Sequence, residues 1–130
     1  MSARVVLAPV LLIALSACSG GSGFAQPKVA AFTAGSCRAL AQPALALGKD
    51  LHGMSSRPPS AAQRAALKSH QGELRAHQAG LSLTLAPTVQ RLVTSVGVLR
   101  LRADTNSYDP SLARTAITAY DGVVAACTRP

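Results

Sequence analysis

Apolar residues recur at the spacing of an α-helix in four separate segments, and this periodicity constrains the fold of the chain more than any other feature. In each segment, an apolar residue is followed by others three and four positions later, which is the spacing of one helix face. Alternating runs of β-branched and polar residues, which would indicate strands, are absent from the sequence. The pattern therefore predicts an all-α fold.

The first two predicted helices lie between about residues 35 and 83. The first extends from about Gly35 to Leu51, and Pro43 is expected either to kink it or to mark its true start. The second opens at Ser60 with the spacing of a capping box and continues to about Leu83. The apolar face of the first helix consists of Cys37, Leu40, Ala41, Ala44, Leu47 and Leu51.

Two further helices follow, and each has a recognisable start. The third begins at Ala86-Pro87 and ends before the segment "DTNSY". The fourth begins at Asp109-Pro110, an acidic N-cap followed by proline at the first helical position. Four amphipathic helices with short connections predict an up-down-up-down four-helix bundle. The apolar stripes are Val89, Leu92, Val96 and Leu99 in the third helix, and Ala113, Ala116, Ile117, Tyr120, Val123, Val124 and Cys127 in the fourth.

The first residues have the pattern of an export signal. Arg4 precedes an apolar stretch, Val5 to Leu15, that is too short to span a bilayer comfortably. The following "LSAC" resembles the lipobox of bacterial lipoproteins, in which a large apolar residue and two small residues precede a cysteine. The resemblance implies that Cys18 is the lipidated first residue of the mature chain. The alternative is an ordinary signal peptide cleaved after Ala17 or Ala25, which would release the protein.

The resemblance divides the chain into three parts. Residues 1–17 would be a lipoprotein signal peptide, residues 18–33 a flexible tether rich in glycine and serine, and residues 34–130 the helical bundle. The abundance of alanine, the preference for arginine over lysine and the few aromatic residues are similar to small lipoproteins of high-GC Gram-positive bacteria. The expected location is the extracytoplasmic face of the cell membrane, with attachment through the lipid.

With Cys18 assigned to lipid, Cys37 and Cys127 remain as a pair in an oxidising compartment. In an up-down-up-down bundle the start of the first helix and the end of the fourth lie at the same pole, and both cysteines fall on apolar faces. We therefore expect a disulfide between them, the alternative being two buried free thiols. Closing so long a loop would stabilise the fold by about 4 to 5 kcal/mol.

The sequence carries no motif that would indicate an enzyme. It lacks G-x-S-x-G, H-E-x-x-H, C-x-x-C and the phosphate-binding G-x-x-x-x-G-K. It has 5 acidic residues, of which Glu73 alone is a glutamate, whereas a di-iron bundle site needs about four glutamates. We therefore expect no catalytic activity, no cofactor and no metal site.

The chain is basic, with 13 Lys and Arg residues against 5 Asp and Glu and a net charge of +8. Arg64, Lys68 and Arg75 share one face of the predicted second helix, and Arg57 precedes it. These cations would meet anionic lipid headgroups or envelope polyanions, unless they simply form a solvated bundle face. Nucleic acid is not an expected partner, because there is no tryptophan and no aromatic residue is interleaved with the cations.

A polar pocket inside the bundle is the second candidate site. His70 and His77 occupy an otherwise apolar stripe with Leu67, Leu74 and Leu81, and Glu73 lies within reach of either imidazole. Arg100 is a candidate partner for Glu73. The imidazoles are about 10.5 Å apart along the helix axis, so one ion would need a ligand from another helix. The alternative is that both are ordinary, partly buried histidines.

These observations favour a membrane-anchored extracytoplasmic helical module that binds another protein or an envelope component. The alternative is a carrier of a small ligand, haem or metal that uses the bundle interior.

Overall fold

The computed structural model describes residues 24–129 and is helical throughout, with no strand in that range. Two short 3-10 turns, Val29–Ala31 and Gln78–Gly80, accompany the α-helices. The all-α prediction is confirmed. The helices are α1 (Ser36–His52), α2 (Ala61–Ala76), α3 (Ala86–Asp104) and α4 (Pro110–Cys127).

The helices form the predicted up-down-up-down bundle. Each packs against the next in the chain, and α1 also packs against α4, which closes the bundle. One apolar face of every helix points inward, as the periodicity predicts, and within the described residues no helix is long and apolar enough to cross a membrane. The fully buried side chains include Leu40, Leu47, Leu67, Leu74, Val89, Leu92, Val96, Leu99 and Val123.

Local signals at the helix starts are confirmed. The Ser60 hydroxyl accepts a hydrogen bond from the Gln63 N–H at 3.2 Å, and the Gln63 side chain accepts one from the Ser60 N–H at 2.8 Å. Asp109 caps α4 by accepting from the Ser111 N–H at 2.7 Å. Pro43 lies inside α1 and therefore does not mark the start of that helix.

The predicted end of the second helix is wrong, because α2 ends at Ala76 and not near Leu83. The chain then makes a 3-10 turn that ends at Gly80. The Ser82 hydroxyl accepts from the Leu85 N–H at 3.3 Å, in the turn that leads into α3. Leu83 is left 93% exposed, outside the core that the longer helix would have joined.

The first described residues pack against the bundle, so the predicted tether is wrong for residues 24–33. Phe32 is buried in the core, and Phe24 and Val29 are partly buried against it. The Arg38 guanidinium donates to the Phe32 carbonyl at 2.8 Å. The apolar side chains stabilise this segment on the bundle by leaving water. Residues 18–23 of the predicted tether and the signal segment lie outside the described residues.

The predicted disulfide between Cys37 and Cys127 is confirmed. It joins the first turn of α1 to the last turn of α4 across a Cα–Cα distance of 5.3 Å and a sequence separation of 90 residues. Both cysteines are buried. The crosslink therefore closes nearly the whole described chain into one loop.

Replacing both cysteines, Cys37→Ser with Cys127→Ser, is expected to lower the free energy of unfolding by about 4 kcal/mol. The physical reason is the loop-closure entropy that the crosslink removes from the unfolded chain. Urea unfolding measures the loss, with Cys18→Ser as the control that leaves the crosslink intact. Recovery of two alkylatable thiols at Cys37 and Cys127 from the unreduced native protein would contradict the disulfide.

Candidate functional site

The four residues of the predicted polar pocket do not come together. His70 is half-buried and its Nδ1 donates to Asp50 Oδ2 of α1 at 2.5 Å. Glu73 and His77 are exposed, and His77 is the C-cap of α2. Arg100 is bound elsewhere, to a glutamine, and not to Glu73. The predicted pairing of Glu73 with Arg100 or an imidazole is therefore wrong.

The pocket prediction is wrong because α2 is shorter than predicted and buries a different face. The face of α2 that enters the core carries Leu67, Gln71 and Leu74. These positions have the i, i+4, i+7 spacing of one helix face, and His70 is turned from that face toward α1. His77 lies beyond the last helical residue, so it no longer follows the same stripe.

Gln71 is the buried polar group that the sequence prediction missed. It is 5% exposed, and its Nε2 donates to the Val93 carbonyl at 2.9 Å. Its Oε1 accepts from Arg100 Nη1 at 2.5 Å. A Cβ atom at Gly97 would lie 3.3 Å from the Gln71 amide, so the glycine leaves room for this side chain. The glutamine therefore links α2 to α3 and holds the guanidinium of Arg100.

Gln71→Ala is expected to lower the free energy of unfolding by about 1 to 3 kcal/mol, because it leaves a partly buried guanidinium without its acceptor. Gln42→Ala, which removes an exposed glutamine of α1, is the matched control and should be nearly neutral. Urea unfolding of both variants measures the difference. Equal midpoints for the two variants would show that the link between α2 and α3 contributes no stability.

The predicted basic residues of α2 lie on the side of the helix that faces α3. Arg64 forms an ion pair with Asp104 of α3, with 3.4 Å between Nε and Oδ1. Lys68 and Arg75 are exposed and form no ion pair within residues 24–129. Arg57 is also exposed, in the loop before α2. Of the four predicted cations, Arg64 is therefore paired with a carboxylate in the described residues.

Contacts along the junction fix the register of the two antiparallel helices. Arg64 meets Asp104 at one end, Gln71 approaches Gly97 in the middle, and the Gln78 and Gln90 side chains are hydrogen-bonded at 2.7 Å at the other end. The intermediate positions follow from this register: Lys68 lies opposite Arg100. Two like charges therefore share one level of the junction.

We call the facing sides of α2 and α3, with Lys68, Arg75 and Arg100, the cationic seam. Asp104 at its end is already paired with Arg64. Glu73 is two positions from Arg75 and five from Lys68, so it projects from another side of α2. No carboxylate in the described residues of α2 and α3 therefore neutralises the seam. At the end nearest Gln78 and Gln90 lies a surface recess of about 580 Å³ that Arg75 lines.

A buried aromatic cluster lies on the opposite side of the bundle. The Phe24 ring stacks on His52 with 3.5 Å between centroids, and the Tyr120 ring meets both edge-on. A Cβ at Gly48 would overlap the Tyr120 ring, so glycine is required there. His52 Nε2 and the Tyr120 hydroxyl are buried and have no hydrogen-bond partner within the described residues.

Burial raises the pKa of Tyr120 above its ordinary value of 10.0, and the nearby Gln26 amide offsets part of that rise. The folded state therefore holds the phenol proton more tightly than the unfolded state does. The stability that this contributes is complete below pH 10.0 and is lost as the pH rises through the folded-state pKa.

Between about pH 9 and pH 11 the wild-type protein is therefore expected to lose more stability than Tyr120→Phe, which has no phenol to ionise. Urea unfolding across this range measures both proteins, and the shared loss from lysine deprotonation cancels in the comparison. Parallel stability curves would contradict a phenol ionisation linked to folding.

No family model, curated protein or solved structure matches this chain. Among residues 24–129, no three His, Cys, Asp or Glu side chains lie close enough together to hold a metal ion. The features that bear on function are therefore the cationic seam, the disulfide and the path of residues 24–33.

Proposed function

We propose that this protein is a lipid-anchored extracytoplasmic helical module that binds a component of the cell envelope. Two features support the location. The sequence "LSAC" resembles a lipobox, which would make Cys18 the attachment point. The Cys37–Cys127 disulfide is of the kind that persists in oxidising compartments and is rare in the cytosol.

The observation that carries the binding role is the cationic seam. The register of α2 and α3 places Lys68 at the level of Arg100, and Arg75 follows two helical turns after Lys68. Lys68 and Arg75 form no ion pair within residues 24–129. Like charges held at one level repel each other and destabilise the fold by a small amount. An anionic partner removes that repulsion when it binds, so the arrangement is suited to an anion.

The carrier hypothesis has less support from the same contacts. Apolar side chains, mostly leucine, valine and alanine, fill the bundle interior, and Gln71 is the buried polar residue among the described residues. His70 is engaged with Asp50 and Arg100 with Gln71, so both are used in contacts between helices. We therefore retain the binding module as the single proposed function.

Cys18→Ala is expected to release the protein from membranes, because it removes the acyl chains. Each methylene of an acyl chain that enters the bilayer stabilises attachment by about 0.8 kcal/mol. The full chain is expressed in a bacterial host, and the membrane fraction is washed with salt and blotted. Ser19→Ala is the matched control and should stay bound. A membrane-bound Cys18→Ala variant, or a wild-type N-terminus without acyl groups by mass spectrometry, would contradict the anchor.

A further inference from the structure

The segment of residues 24–33 runs along the groove between α1 and α4, antiparallel to α1. It starts where Phe24 stacks on His52 in the last turn of α1. Gln26 Nε2 then donates to the Leu45 carbonyl at 2.5 Å, midway along α1. It ends where the Thr33 N–H donates to the Cys127 carbonyl at 2.8 Å, beside the disulfide.

The chain therefore enters the bundle at the pole opposite the disulfide. We call this the loop pole, because it contains the connections of residues 53–60 and 105–109. From Cys18 to Phe24 there are six peptide steps, which span at most about 21 Å. A lipid-attached Cys18 would therefore keep the loop pole beside the membrane.

The short span from Cys18 to Phe24 also determines which side of the bundle is available to a partner. In the order of helix contacts, the junction of α2 and α3 lies on the side of the bundle opposite the groove between α1 and α4. The bundle is two helices thick, or about 20 Å. To lay the cationic seam on the membrane, the chain before Phe24 would have to cross the full thickness of the bundle at nearly full extension. The seam is therefore turned away from the lipid headgroups.

We infer that the cationic seam binds a linear phosphodiester polymer of the cell envelope. This inference rests on the proposed function for its location, because a cytosolic protein would not meet such a polymer. Lys68 and Arg75 are about 10.5 Å apart along α2, so the seam presents a row of charges and not a single pocket. A linear polyanion with repeating charges is complementary to such a row.

The donors of the seam suit phosphate oxygens. A guanidinium has five N–H donors and pairs with phosphate in a bidentate manner. Arg100 Nη1 donates to Gln71, and the residue is only partly buried. The other N–H groups of its guanidinium therefore remain as donors for a ligand. Gln78 and Gln90 add amide groups at the recess beside Arg75. The seam contains no aromatic side chain, whereas tryptophan and tyrosine are frequent anchor residues of protein interfaces.

The test uses the full chain with Cys18→Ala, so that no acyl chain contributes to binding, and poly(glycerol phosphate) as the probe. The Lys68→Gln/Arg75→Gln variant should bind at least about tenfold more weakly at low salt, because each exposed cation near a dense anionic array contributes to binding. The slope of log Kd against log salt concentration should fall by about two. Both residues are exposed, so circular dichroism should show an unchanged fold.

Lys49→Gln/Arg114→Gln is the matched control. It removes the same net charge from exposed positions of α1 and α4, and it should bind within about twofold of the parent chain. Should the seam variant not fold, Lys68→Gln alone is compared with Lys49→Gln alone.

The inference would be overturned if the control variant lost as much affinity for the phosphate polymer as the seam variant. It would also be overturned if the chain bound poly-glutamate, or vesicles that contain phosphatidylglycerol, as tightly as the phosphate polymer or more tightly. An absence of binding to the phosphate polymer would also overturn it. The proposed anchor would be unaffected by any of these results, because fractionation of the Cys18→Ala variant tests it separately.

Discussion

The Cys37–Cys127 disulfide is the constraint on which the rest of the structure depends. Many core positions are alanine, among them Ala41, Ala44 and Ala116, so the helices approach closely but bury modest apolar area. The crosslink holds the start of α1 against the end of α4 and closes the bundle. It also sets the groove between these helices, and the Thr33 N–H bonds the carbonyl of Cys127 itself.

The position of the first described residues follows from that groove. Phe24, His52 and Tyr120 form an aromatic cluster at one end of it, and Phe32 is buried near the other. The side of the bundle formed by α1 and α4 is thereby covered by its own chain. On the opposite side, Lys68, Arg75 and Arg100 form no ion pair within residues 24–129.

The helices, their caps and the disulfide could be predicted from the sequence, because periodicity, the Ser60 capping box and the Asp109-Pro110 start are local features. The rotation of α2 could not, since both His70 and Gln71 lie near its apolar stripe and only packing against α3 buries the glutamine. The ordered path of residues 24–33 was missed for a similar reason. Its composition resembles a linker, and a groove elsewhere in the chain stabilises it.

The central claim is that the loop pole faces the membrane and the cationic seam does not. Nuclear magnetic resonance of the full lipidated chain in bilayer discs, with nitroxide-labelled lipid headgroups, measures this orientation directly. The account predicts that amide signals of residues 53–60 and 105–109 broaden most, while those of residues 77–85, at the opposite pole, broaden least. Those of Lys68 and Arg75 should lie between these two extremes. Strongest broadening along the cationic seam would contradict the account, because that side of the bundle would then lie on the lipid.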